Sequence, residues 1–189
     1  TYRSKLDIPK GVVESGSISN PAGLVFALKN FSAQHGIRYA HATLPEEKAY
    51  LFTTMIDKVA PEGLRDAVAF IIEENAPVSL ADSIFDFEII GEDESTSKIK
   101  LTVSVLPKSI VGAYVGVFES AGIVPISFDI ESQAIARAVI HRGDRRSHLI
   151  INLAAKKSGL YVVEDEVVQF SLTPAYGFGE DDSYLGLSD

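Results

Sequence analysis

Residues 106–155, LPKSIVGAYVGVFESAGIVPISFDIESQAIARAVIHRGDRRSHLIINLAA, constrain the fold more than any other stretch of the chain. Pro107 opens a helix whose Ile110, Val111, Tyr114, Val115 and Phe118 recur at helical spacing, and Ala121-Gly122 closes it. Residues 123–128 read as an apolar strand and Asp129-Ile130-Glu131 as an acidic turn. A small-residue helix follows over 132–140, then a second strand over 149–153. Helix, strand, helix and strand in that order call for an α/β architecture.

The flanking sequence supplies the remaining elements. Residues 2–14 read as a short strand ending in Pro9-Lys10-Gly11. Asn20-Pro21 starts a helix, because Asn20 caps free amides and Pro21 fixes φ where no amide is needed. That helix sets Leu24, Val25, Leu28 and Phe31 on one face and stops at Gly36, before a strand over 37–44. Residues 49–56 are β-favouring. Pro61 begins a helix with a Leu64, Ala67, Val68, Ile71 and Ile72 stripe, which ends at Asn75-Ala76-Pro77. Apolar residues alternate with polar ones at 85–89 and again at 99–105, giving two strands with one wet face each, joined by an acidic loop at 91–98. After His148 come three strands, 149–153, 159–163 and 167–172, with Glu164-Asp165-Glu166 turning between the last two. Residues 177–189 have no periodicity and read as a loop or an unfinished element.

Composition narrows the function classes. The 26 acidic residues outweigh 17 basic ones, and the densest basic group is Arg142, Arg145 and Arg146, so a nucleic-acid partner is not expected. With no cysteine there are no disulfides or thiolate metal sites, and a reducing compartment is the natural home. No apolar run approaches the ~20 residues of a membrane span. His35, His41, His141 and His148 lack ligand spacing, and no nucleophile-elbow or Walker-type motif occurs. The chain opens on Thr1 without a secretory leader, so it reads as a fragment of a longer protein.

Several pieces, taken together in order from about Ile8 to Gly177, resemble the type IV pilus assembly protein PilM family. They are Glu62, Ala67-Val68, Glu74-Asn75-Ala76-Pro77-Val78, Asp82, Asp86-Phe87-Glu88, Leu106-Pro107-Lys108, Ala121-Gly122-Ile123, Asp129-Ile130-Glu131-Ser132 and Ala136-Arg137-Ala138. The division protein FtsA and the cytoplasmic part of the type II secretion L protein are related readings. The resemblance implies an actin-like (ribonuclease-H-like) α/β fold fragment with an inserted β-α-β-β-α subdomain. Residues 1–47 and 122–146 would form part of the first actin-like subdomain, 48–121 the insertion, and 147–189 the start of a second domain.

What the resemblance implies functionally is a cytoplasmic scaffold at the inner face of the cytoplasmic membrane, reaching the membrane only through partners. It would hold the cytoplasmic tail of a membrane-anchored pilus assembly protein. Tyr50, Phe52 and Tyr114 are the candidate pocket residues, and ordinary core roles are available to each. The family fold binds ATP with magnesium through Asp-x-Gly phosphate hairpins, one of which corresponds here to Asn152-Leu153-Ala154. Asn152 keeps the shape of the aspartate but loses its charge, and Ala154 restricts backbone approach to a phosphate. Lys156 offers compensating positive charge or occupies an exposed turn, while Glu131 faces the metal-water shell or favours its helix N-terminus. Neither a catalytic residue nor a metal ligand is visible. The alternatives are an active actin-like ATPase whose site lies mostly outside the fragment, and an FtsA-like division protein.

Overall fold

Asn20 starts the first helix in the expected way, its Oδ1 accepting the Gly23 N–H at 3.0 Å, and Gly36 ends it in the left-handed region at φ 68°. The computed structural model describes residues 4–154, 157–174 and Gly177. In chain order these form β1 (Val13–Glu14), β2 (Ser17–Ile18), α1 (Pro21–His35), β3 (Tyr39–Leu44), β4 (Tyr50–Asp57), α2 (Leu64–Asn75) and β5 (Ser83–Asp93). Then follow β6 (Lys98–Pro107), α3 (Lys108–Ser120), β7 (Val124–Ile130), α4 (Glu131–Val139), β8 (His148–Leu153), β9 (Ser158–Glu164) and β10 (Val167–Leu172). The stretch from β4 to α3 runs β-α-β-β-α.

The described residues form two compact units, one within 1–49, 78–84 and 106–131, the other within 50–77, 85–105 and 132–189. In the first, β3 and β7 pair in parallel, from Tyr39 opposite Val124 to Leu44 opposite Ile130. The helix α3 packs on β7, where Phe118 meets Phe128 edge to face at 5.8 Å, and also on α1. Val12, Leu24 and Val117 form a buried cluster flanked by Val25 and Leu28. No strand occupies residues 4–12; instead β1 and β2 make a minimal hairpin around Ser15-Gly16. Both turn residues have positive φ, 44° and 73°, which matches the twist of a two-residue hairpin. Gly16 is required there, since a Cβ would stand 2.5 Å from the Pro45 side chain.

The second unit holds two three-stranded sheets, ordered β4-β6-β5 and β10-β9-β8. The helix α2 packs on β4 with Leu64, Val68 and Ile72 buried, and its Arg65 guanidinium stacks over the Phe85 ring at 4.4 Å. The expected wet face of residues 99–105 is not wet: Thr102 and Ser104 are buried with their apolar neighbours. The reason is that β6 is the central strand and its polar face is covered. Thr53 Oγ1 lies 3.3 Å from Thr102 Oγ1 and donates to the Gln169 carbonyl at 2.9 Å, while Gln133 Nε2 donates to Ser104 Oγ at 3.1 Å.

The helix α4 lies on the other sheet, its Ala136 clustering with Tyr161, Val163 and Val168. The opposite face of that sheet presents Leu149, Ile151, Leu153, Phe170 and Leu172, each about half exposed. The expected acidic turn at 129–131 is absent as a turn. Asp129 and Ile130 complete β7 and Glu131 is already the first residue of α4.

Candidate functional site

The hairpin of β8 and β9 carries the candidate phosphate loop. The strands run antiparallel from His148 opposite Val163 to Leu153 opposite Ser158. The Ala154 N–H donates to the Lys157 carbonyl at 3.1 Å. That amide is therefore spent inside the turn, where a phosphate cradle needs amides directed outward. Asn152 stands opposite Gly159 and has a polar interaction of its own. Lys156 lies outside the described residues. Glu131, half-buried in the first turn of α4, belongs to the first compact unit, whereas Asn152 and Ala154 belong to the second. A carboxylate there is favoured by the helix dipole, and Glu131 has an interaction partner.

ATP with magnesium is the group that the resemblance implies. The described residues of this hairpin do not fit it as folded: the amide of Ala154 is engaged, and Asn152 carries no charge for a metal-water shell. Among the described residues no group of three or more His, Asp or Glu side chains is placed to hold a metal ion. The residue that sequence reading missed here is Gly159. A Cβ on it would stand 2.1 Å from the Tyr161 hydroxyl, so the glycine lets the buried Tyr161 ring fold over the strand beside Asn152. The sequence signal was a glycine two residues before an aromatic within a strand.

The candidate partner residues fall in different places. Tyr50 and Phe52 share one face of β4, opposite Val105 and Val103 of β6; Tyr50 is 36% exposed and Phe52 is half-buried. Tyr114 is half-buried on α3 in the first unit, and its hydroxyl donates to the Gly16 carbonyl at 3.2 Å. That bond ties α3 to the β1–β2 turn.

Two surface carboxylates are held strongly ionised. Asp93, in the β5–β6 turn, is lowered to about 2, chiefly by the Ser95 and Thr96 hydroxyls and then by the Ser95 backbone N–H. Asp144, between α4 and β8, lies well below the usual carboxylate range because the Arg146 guanidinium and backbone N–H both donate to it. Among the described residues no helix is long and apolar enough to cross a membrane.

No protein-family model matches the chain, and no curated protein is significantly similar to it. Solved structures do match. A chain of the PilM-PilN type IV pilus biogenesis complex superposes with a TM-score of 0.76 at 17% identity, covering 89% of this chain and 52% of that one. The cytoplasmic domain of EpsL, an inner membrane component of the type II secretion system of Vibrio cholerae, gives a TM-score of 0.60 at 13% identity, covering 80% of this chain and 56% of that one. The chain thus spans about half the length of the solved structures it matches. At such identities the likeness shows the fold, which is the actin-like α/β fold.

Proposed function

We propose that this chain is part of an actin-like scaffold of a type IV pilus machine or a related secretion machine, and that it binds the cytoplasmic tail of a membrane-anchored partner. The observation that carries the reading is the extent of the likeness to the PilM-PilN structure, which takes in most of this chain. The EpsL domain supports the same class, since it is described as a component of inner-membrane secretion machinery. On this reading the protein works at the cytoplasmic face of the membrane, and 48–121 is the inserted subdomain.

Recognition is proposed to run through Tyr50 and Phe52 on β4. An extended peptide adds to a strand edge through main-chain hydrogen bonds, and apolar side-chain pockets give selectivity. β4 is an end strand of its sheet, and since Thr53 on it is bonded to the Gln169 carbonyl of β10, the face carrying Tyr50 and Phe52 is the one proposed to take the peptide. The net charge of −9 favours a basic tail, whose association would slow and weaken as salt rises.

The test is a titration of candidate cytoplasmic tails against the chain and against Phe52→Lys. Binding by the chain and its loss in Phe52→Lys, with folding retained, supports the reading. A failure of every tail, or binding that maps only to residues 149–172, overturns it.

A further inference from the structure

Where the α4–β8 connection meets the β9–β10 turn, the second unit contains a cleft of about 530 Å³. That volume lies within the usual range for small-ligand sites, and five of the nine residues lining it, Glu88, Gln133, Arg137, Arg142 and Glu166, are polar or charged. Its floor comes from Ala136 and Val168, both buried in the α4 cluster, and from Ile140 and Val167. Its charged groups are not equivalent. The Glu166 carboxylate accepts the Gly143 N–H at 2.6 Å, and Glu88 and Arg137 each have interactions of their own. Arg146, nearby but outside the cleft lining, is committed to Asp144 through Nε at 2.9 Å and Nη2 at 2.6 Å. Arg142 lines the cleft, is exposed, and among the described residues has no hydrogen-bond or ion-pair partner.

The backbone around the cleft is held under strain. Asp165 and Glu166 both have positive φ, 50° and 68°, in a turn that favours Asn-Gly. Neither is glycine, and the Gly143 to Glu166 bond fastens this turn to the neighbouring loop. Non-glycine residues in this region persist only where surroundings over-determine them, and they gather at binding sites. The turn lies at the end of β9 opposite the 154–157 loop, so the cleft is separate from the candidate phosphate hairpin.

We propose that this cleft binds an aliphatic carboxylate, with the Arg142 guanidinium meeting the carboxylate and Ile140 and Val167 meeting the aliphatic part. Guanidinium and carboxylate match in planar two-point geometry, and a hydrogen-bonded charge pair beside an apolar floor is stronger than one in open water. The site is independent of the scaffold reading above. Its ligand has two possible sources, a fatty acid or a peptide C-terminus, which share this chemistry.

Backbone-amide NMR titrations with hexanoate, with N-acetyl-valyl-leucine and with the amide of that dipeptide separate these outcomes. Saturable shifts at 140–143 and 167–168 are expected with a carboxylate and not with the amide. A response to hexanoate alone identifies a fatty acid, and a response to the dipeptide alone identifies a chain terminus; either supports the site. Arg142→Gln should weaken binding on the order of tenfold, with Arg142→Lys keeping part of it. Because Arg142 is exposed, both variants should melt as the parent does. The proposal is overturned by no saturable shift with either carboxylate, by equal binding of the amide, by unchanged affinity in Arg142→Gln, or by shifts confined to the opposite face of the β8–β10 sheet.

Discussion

The Tyr161 ring folds back over Gly159 two residues earlier on β9, leaving no room for even one methyl group: a Cβ at Gly159 would lie 2.4 Å from Cζ of that ring. Tyr161 is 1% exposed and packs with Ala136, Val163 and Val168, so it has nowhere to retreat. Gly159→Ala should therefore destabilise the second unit by about 2 kcal/mol, the usual cost of forcing extra volume into a packed core. Urea unfolding checks this. A change within a few tenths of a kcal/mol would mean that the ring moves freely.

The helix α2 offers an internal control for burial. Ile72 is fully buried, whereas Phe70, two residues away on the same helix, is 77% exposed. Ile72→Ala should cost about 3 kcal/mol through lost transfer energy and the cavity left behind, while Phe70→Ala should change stability by less than about 0.5 kcal/mol. Paired melting curves check this, and a reversed order would place Phe70 rather than Ile72 in the core.

Asp93 gives a signed pH effect. Its carboxyl lies at about 2 against an ordinary 3.8, so the ionised form is favoured more in the folded state than in the unfolded one. The stabilisation is fully present above the ordinary value and is lost as pH falls through the folded one. Between pH 3.8 and about 2 the chain should lose stability faster than Asp93→Asn, which carries no titrating group there. The exposed position keeps the effect small. Carbon-detected titration of the Asp93 carboxyl is the direct measurement, and a midpoint at the ordinary value would contradict the turn geometry.

The 154–157 hairpin leads to an expectation about nucleotide. The chain should show no ATP turnover above background, because turnover needs a metal and a positioned water, and Asn152 brings no charge to a metal-water shell. Asn152→Asp alone should not create ATP binding by calorimetry, since the Ala154 amide remains bonded to the Lys157 carbonyl. Hydrolysis by the parent chain that disappears in Glu131→Ala or Asn152→Ala would show that the altered loop is a working site.

Much of the fold was legible because local rules decide it. Asn20-Pro21 and Gly36 mark a helix whatever the chain packs against, since capping and left-handed φ are properties of neighbouring residues. The stripe of Leu64, Val68 and Ile72 identifies the buried face of α2 for the same reason. The order of elements from β4 to α3, and the three strands after residue 147, follow from periodicity alone.

Tertiary structure decided what periodicity does not encode. Alternation over 99–105 implied one wet face, but Thr102 and Ser104 on that face are buried by partners about 50 and 30 residues away in sequence. Asn152-Leu153-Ala154 could be recognised by likeness, yet only the folded hairpin shows that the Ala154 amide already has an acceptor. Arg142, Arg145 and Arg146 looked equivalent as a basic run; Asp144 binds Arg146 and leaves Arg142 on the rim of a cleft. Sequence fixes which groups a segment carries, through local geometry and hydrophobic period. Which of those groups remain free is set by long-range contacts, because the engagement of a polar atom depends on what the rest of the chain brings beside it.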